Sequence, residues 1–214
     1  MIYLREALMT GGAALPYDAE VEYLESTGTQ YINTGVYPGI GDVLECTFKL
    51  GSITIYGALF GCSWTSDGVL PAVWIKSTSK IHALYCGGSF EGSTNTYSTG
   101  DVLNLDVSLQ SNNLSTYING VLLRKTKGSA SFPSIPYHIF CTTNASGSAP
   151  YNAAGSGTKC YGFRIYKGGV LLRDMIPVRF TNENGVTEGA MYDRVSGQLF
   201  RNRGTGAFVI GPDK

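Results

Sequence analysis

The sequence has no long apolar run and no excess of charge of either sign. In its 214 residues there is no stretch of about 18 apolar residues that could span a bilayer, and the N-terminal segment is too short and too charged for a secretory signal. The 16 Lys and Arg residues are balanced by 16 Asp and Glu residues. A nucleic-acid surface would need basic residues clustered on one face. The sequence therefore predicts neither a membrane nor a nucleic-acid partner, and it indicates a chain that is cytosolic or released by lysis.

Histidine and paired cysteine are scarce. His82 and His138 show no His-x-His or His-Glu-x-x-His spacing, and there is no Asp-x-Asp cluster. The cysteines are odd in number and include no Cys-x-x-Cys pair, so neither a zinc site nor a complete set of disulfides is indicated. We expect no metal, no cofactor and buried free thiols, with one disulfide as the alternative. The cysteines are Cys46, Cys62, Cys86, Cys141 and Cys160.

The composition is rich in turn and strand residues. The chain has 28 glycines and 14 tyrosines, and we find no convincing amphipathic helix of ordinary length. Strand patterns recur between turns instead, for example over residues 53–60, 69–76 and 80–86. A chain of this length fits one large all-β domain better than two domains. These features predict an all-β fold with a single core.

Local patterns fix several strands and turns. Residues 42–49 alternate, which places Leu44, Cys46 and Phe48 on one face. Asn119-Gly120 and Gly168-Gly169 each separate two apolar runs, and such pairs adopt the positive φ angles of hairpin turns. Pro177 has no N–H to donate, so it predicts an edge position or a kink.

The most stereotyped sequence lies near the two ends of the chain. Residues 189–212 combine apolar anchors with turn glycines, and residues 23–35 form a second motif. Together they resemble the laminin-G-like, concanavalin-A-like lectin domains of gut bacterial surface proteins and of phage virion and tail proteins. The apolar anchors are Met191, Leu199, Phe200, Phe208 and Ile210.

This resemblance implies a two-sheet antiparallel jelly-roll sandwich in which the first and last strands are neighbours. We therefore expect residues 22–34 to run beside residues 206–210. The domain would occupy residues 19–214, preceded by a short arm over residues 1–18. The arm would bury apolar side chains on another virion subunit or on a second copy of the chain, and its candidate contact residues are Ile2, Leu4, Leu8 and Met9.

Sugar sites combine an aromatic ring with fixed polar groups on loops, because a saccharide presents both C–H faces and hydroxyl groups. Two loops, residues 62–68 and 146–157, have this composition. Trp74 belongs to a strand and shares a face with Ala72 and Lys76, and we expect this face to be either solvent-facing or a concave sheet surface. The candidate carbohydrate-binding residues are Trp64, Asp67, Trp74, Tyr97, Tyr151 and Asn152.

Catalytic motifs are missing. Glycoside hydrolases of this fold type carry Glu-x-Asp-x-Glu or Glu-x-Asp-x-x-Glu on one strand, and this chain has neither pattern. The favoured hypothesis is thus a non-enzymatic structural or adhesive virion protein, in a phage head, tail fibre or capsid decoration, that can bind cell-surface glycans. The alternative is a carbohydrate-binding lectin on a bacterial surface, and a hydrolase is a distant third.

Overall fold

Extended chain accounts for every regular element that the structure describes. A computed structural model describes residues 15–65, 68–69, 71–77, 80–84, 91–92, 95–111, 113–127 and 132–214. These residues contain no helix, and hence none that could cross a membrane. Their strands are β1 (Ala19–Glu20), β2 (Leu24–Ser26), β3 (Ile32–Asn33), β4 (Asp42–Lys49), β5 (Ala58–Gly61), β6 (Trp64–Thr65), β7 (Gly68–Val69), β8 (Ala72–Ser77), β9 (Lys80–Leu84), β10 (Glu91–Gly92), β11 (Val102–Gln110), β12 (Asn113–Ile118), β13 (Val121–Lys127), β14 (His138–Ile139), β15 (Thr158–Lys167), β16 (Val170–Thr181), β17 (Thr187–Asp193), β18 (Gln198–Arg201) and β19 (Val209–Ile210).

The strands form two large antiparallel sheets. The larger sheet has the order β13-β12-β11-β4-β15-β16-β17-β18, with β1, β2 and β19 attached beside β15 and β16. The smaller sheet has the order β10-β9-β8-β5-β14-β3, and β6 pairs with β7 separately. Aromatic rings pack between the sheets, with Phe60 of β5 edge-on to Phe163 of β15 at 5.3 Å between ring centroids. The predicted two-sheet jelly roll is confirmed.

The strand patterns read from the sequence hold for β4 and for both hairpins. Leu44, Cys46 and Phe48 are buried, and the residues between them are partly exposed. Asn119 and Gly120 have φ angles of 52° and 78° and join β12 to β13. Gly168 and Gly169 likewise have positive φ and join β15 to β16. The strand predicted over residues 53–60 is shorter, because the Gly57 N–H donates to the Thr54 carbonyl and closes a turn before β5.

The larger sheet contains a fork. β15 and β16 pair from Lys167↔Val170 only as far as Phe163↔Met175. Beyond that point β15 pairs with β2, β16 pairs with β1, and β19 pairs with β2. The two terminal segments of the domain therefore fill the space where β15 and β16 separate. This confirms the expectation that residues 22–34 run beside residues 206–210.

Pro177 lies at this fork, and of the two predicted alternatives, an edge position or a kink, the edge position is wrong. Its strand stays paired with β17 on one side and gains β1 on the other. The Pro177 carbonyl accepts a hydrogen bond from the Val21 N–H at 3.0 Å, and the nitrogen of a strand residue points to the same side as its carbonyl. The missing N–H thus lies between the part of β16 that pairs with β15 and the part that pairs with β1.

The described cysteines are buried, as expected. They are Cys46, Cys62, Cys141 and Cys160, while Cys86 lies outside the described residues. Burial raises the pKa of the Cys160 thiol to about 12. Four thiols of this kind behave as small apolar groups in the core.

The N-terminal packing of the domain begins before residue 19. The Tyr17 ring lies 4.9 Å from that of Tyr192, and the Thr181 hydroxyl donates to the Asp18 carboxylate at 2.8 Å. The proposed arm contacts Ile2, Leu4, Leu8 and Met9 lie outside the described residues. The arm's role in assembly accordingly stays a prediction.

Asp193 organises the turn between β17 and β18. Its buried carboxylate accepts hydrogen bonds from the N–H groups of Asp174, Val195 and Ser196 and from the Ser196 hydroxyl, at 2.6 to 3.2 Å. Arg173 adds an ion pair at 3.4 Å. Burial alone would raise the pKa of Asp193, but the hydrogen bonds outweigh it and hold the pKa below the ordinary value.

Replacing Asp193 with alanine should destabilise the domain by about 3 kcal/mol, because three partly buried N–H groups, the Ser196 hydroxyl and the Arg173 guanidinium would lose their shared acceptor. Asp213→Ala is the control, since it removes an exposed pair with Arg179 and should cost less than about 1 kcal/mol. Urea unfolding followed by tryptophan fluorescence measures both. Equal costs for the two variants would contradict the role of Asp193.

Acid should weaken the same interaction. Because the pKa of folded Asp193 lies below its ordinary value of 3.8, its carboxylate stabilises the fold above that pH, and this contribution is lost as pH falls through the lower, folded value. The difference in unfolding free energy between the wild type and Asp193→Asn should therefore shrink between pH 6 and pH 2.5. A difference that stays constant over this range would count against the assignment.

Candidate functional site

The two loops predicted to bind sugar lie side by side. Ser63 forms a parallel bridge with Thr143, and Thr142 forms an antiparallel bridge with Tyr151. The Ser63 hydroxyl also donates to the Asn144 carbonyl at 3.1 Å. Asp67 lies outside the described residues, and only the backbone of Trp64 is described, within β6. The backbone thus brings the Trp64 loop next to the Tyr151 loop.

A strained turn that the sequence did not reveal joins this region. Tyr56 has φ of 66°, which is rare for an aromatic residue, and its side chain is 44% exposed. Ile55 beside it is also exposed. The Ala58 N–H donates to the Asn152 carbonyl at 2.8 Å, so the turn lies beside the Tyr151 loop. We call Ile55, Tyr56, Tyr151 and Asn152 the loop rim.

Two of the predicted residues lie elsewhere. Trp74 is fully buried, so its expected exposure is wrong. Its neighbours Ala58 and Ala72 are small and leave room for the indole on the face of the smaller sheet opposite Val73. Tyr97 is half-buried against the core and lines a separate depression.

A groove of about 300 Å³ opens on the outer surface of the larger sheet at the fork. It forms because β15 and β16 diverge there, and Gly162 contributes no side chain to fill the space. Glu20 of β1 and Lys214 lie at its boundary, so the terminal segments complete it. We call it the fork groove, and its polar and aromatic lining comprises Glu20, Glu45, Thr47, Tyr161, Arg164, Asp174, Arg194 and Lys214.

A row of charged side chains crosses the fork groove from strand to strand. Glu45, Arg164 and Asp174 lie directly opposite one another on β4, β15 and β16. Asp174 accepts hydrogen bonds from Arg164 at 3.0 Å and from Arg194 at 2.9 Å. The hydrogen bond to Asp174 raises the pKa of Arg164. The row therefore presents oriented donors and acceptors on a rigid sheet.

A β-bulge supplies the aromatic wall of the fork groove. The pairing of β15 with β4 shifts between Cys160 and Gly162, which leaves Tyr161 as the extra residue. Bulges redirect side chains in this way and are frequent beside functional sites. The Tyr161 ring packs edge-on against Tyr23 at 5.6 Å, and Tyr23 is in turn covered by the ammonium group of Lys159. This stack holds the Tyr161 ring in place.

A second depression of about 370 Å³ continues the fork groove across β4 and shares Glu45 and Thr47 with it. Asp106 and Tyr117 line its far side. Asp106 lies directly opposite Glu45, and desolvation together with the Glu45 charge raises the pKa of Asp106. The two depressions form one extended surface across β4, in which the Thr47 hydroxyl donates to the Asn104 side chain at 2.9 Å.

Metal and histidine chemistry have no visible basis in the described part of the chain. No group of three His, Cys, Asp or Glu residues that could hold a metal ion occurs there. His138 is buried beside the Tyr31 ring, and burial lowers the pKa of its imidazole. His138 is thus a core residue of the smaller sheet.

Comparison with known proteins identifies the fold. No protein-family model and no curated protein match the chain. A candidate carbohydrate-binding protein from Bacteroides ovatus superposes on 91% of the chain with a TM-score of 0.60 at 11% identity, and the chain spans 61% of that protein's length. The native heptameric SAP-like pentraxin from Limulus polyphemus matches 73% of this chain, and the match covers 81% of the pentraxin chain, with a TM-score of 0.47 at 10% identity. At 11% identity the likeness to the Bacteroides ovatus protein shows the jelly-roll fold and not the ligand.

The turn over residues 144–148, which precedes Tyr151 in the chain, depends on Asn144, whose side-chain oxygen accepts from the N–H groups of Ser146 and Ser148 and from the Ser146 hydroxyl. Asn144→Ala should cost about 1 kcal/mol and speed hydrogen exchange at the Ser146 and Ser148 amides. Asn182→Ala is the matched control, because it removes the same kind of turn between β16 and β17. Equal exchange at Ser146 in both variants would contradict this role for Asn144.

Proposed function

We propose that the chain is a carbohydrate-binding domain without enzymatic activity and that it holds a saccharide in the fork groove. The observation that carries the proposal is that the Tyr161 ring lines the same groove as the row of charged side chains and its partner Arg194. Sugar rings stack their C–H faces on aromatic rings, and their hydroxyl groups both donate and accept hydrogen bonds. The fork groove offers both partners on a rigid sheet.

The size of the surface suits more than one sugar ring. The fork groove and the depression that continues it measure about 300 Å³ and 370 Å³ and share Glu45 and Thr47. Small-molecule sites typically span about 300 to 1,000 Å³. A short oligosaccharide that crosses β4 would therefore contact Tyr161 at one end and Tyr117 at the other.

The hydrogen bonding of Asp174 and Glu45 favours binding over hydrolysis at the fork groove. Glycoside hydrolysis needs a carboxylic acid that protonates the leaving oxygen while a second carboxylate attacks or activates water. Asp174 accepts from two guanidinium groups, and Glu45 accepts from the Tyr166 hydroxyl and pairs with Arg164. Both groups are thus arranged as acceptors that orient a ligand.

The Bacteroides ovatus protein shares this fold and is a candidate carbohydrate-binding protein. Of the three hypotheses drawn from the sequence, this likeness favours the carbohydrate-binding lectin over the virion protein. The virion hypothesis rests on the resemblance and on the arm of residues 1–18, of which residues 1–14 are not described. We propose display on a bacterial surface as the location of the chain.

The test is a screen of bacterial and plant polysaccharides against the full chain, followed by calorimetric titration of each ligand found. Tyr161→Ala should weaken binding about tenfold, because it removes one stacking platform. The folded state should be retained, since Tyr161 is partly exposed. Thermal unfolding of the variant checks this point.

Tyr151→Ala is the matched control, because it removes the same side chain from the loop rim. It should leave the affinity within about twofold of the wild type, a difference of only about 0.4 kcal/mol. Loss of binding in Tyr151→Ala with full binding in Tyr161→Ala would move the site to the rim. A screen with no saccharide bound would contradict the proposed function itself.

A further inference from the structure

A crevice of about 490 Å³ separates the free edges of the two sheets. β18 ends the strand order of the larger sheet and β3 ends that of the smaller sheet, so neither has a further strand beside it in the described part of the chain. One end of the crevice is closed where the Arg203 N–H donates to the Tyr31 carbonyl and the Tyr31 N–H donates to the Asn202 side chain. The crevice is therefore a bounded recess and not an open edge.

The lining of the edge crevice is cationic. Arg201 and Arg203 line it, and no carboxylate does. Among the described residues neither arginine forms an ion pair, whereas Arg164 and Arg194 of the fork groove both pair with Asp174. The Arg201 guanidinium lies 4.6 Å from the centroid of the Phe180 ring, which fixes its position.

The remaining polar groups of the crevice can donate hydrogen bonds. The Asn33 side-chain oxygen accepts from the Gly35 N–H at 2.8 Å, so its amide N–H₂ group is the part left to face a ligand. Gln198 is exposed along the same wall. Guanidinium and amide donors without a carboxylate match a ligand that is rich in acceptors and negatively charged.

We propose that the edge crevice binds the carboxylate or sulfate group of an acidic saccharide. The proposal takes the class of ligand, a saccharide, from the proposed function, but it uses a site distinct from the fork groove. A single charged ring fits a recess of this volume, with Arg203 on its anion and amide donors on its hydroxyl groups. An acidic peptide that extended the sheet would need a longer free edge, because β18 has four residues.

The experiment measures binding of the full chain to polygalacturonate, dextran sulfate, neutral dextran and poly-L-glutamate at one salt concentration. The wild type should bind polygalacturonate, dextran sulfate or both. Its affinity for neutral dextran and for polyglutamate should be lower than its affinity for whichever acidic polysaccharide binds more tightly. Preference between the first two tells a carboxylate ligand from a sulfate ligand. If polyglutamate binds as tightly as the tighter-binding acidic polysaccharide, the proposal is overturned in favour of an acidic peptide.

Arg203→Gln should weaken binding of the acidic polysaccharide about tenfold, because it removes one charge-assisted contact. Lys80→Gln is the control, since it removes one exposed positive charge from β9. If both variants lose the same affinity for the acidic polysaccharide, the loss of one positive charge alone explains the effect, and the proposal is overturned. Arg203→Lys should restore only part of the affinity, because an ammonium group cannot form a bidentate pair.

The two proposals fail in different ways. If Tyr161→Ala weakens a neutral glycan and no acidic polysaccharide binds, the fork groove stands and the edge crevice fails. If acidic polysaccharide binds and depends on Arg203 while Tyr161→Ala changes nothing, the crevice stands and the fork groove fails.

Discussion

The insertion of the terminal segments between β15 and β16 is the constraint on which the rest of the structure depends. β1 and β2 complete the hydrogen bonding of the diverging strands, and β19 covers β2. The close contact leaves no space for side chains at certain positions. A Cβ atom on Gly204 would lie 1.9 Å from the Thr29 carbonyl oxygen, so glycine is required there. The stereotyped motifs at both ends of the domain are therefore two halves of one closure.

The same separation of strands creates the proposed binding surface. A fully paired sheet presents a continuous surface, whereas the fork leaves a recess with Gly162 at its edge and the bulged Tyr161 at its side. The charges differ from one depression to the next. Acidic and basic residues are balanced in the fork groove, while the edge crevice is lined by arginine without carboxylate. A chain of net charge +0 can thus hold surfaces that favour different ligands.

Sequence patterns predicted the fold more fully than the site. Alternation and turn chemistry are local, and they located β4 and the hairpins at Asn119-Gly120 and Gly168-Gly169. The fork groove depends instead on which strands are neighbours, because Glu45, Arg164 and Asp174 meet only through the sheet order. The exposure of Trp74 could not be read from alternation alone, since alternation assigns a face but not what covers it. Nothing in the sequence indicated the positive φ of Tyr56, because a positive φ in a turn is ordinarily expected at glycine or asparagine and not at an aromatic residue.

The central claim, that a saccharide occupies the fork groove, is tested most directly by titrating the isotope-labelled full chain with a saccharide that binds it, followed by amide chemical shifts. The account predicts progressive shifts at Tyr161, Gly162, Arg164 and Arg194, with smaller changes at Tyr151 and Asn152. Shifts confined to the loop rim or to the smaller sheet, with the amides around Gly162 unchanged, would contradict it.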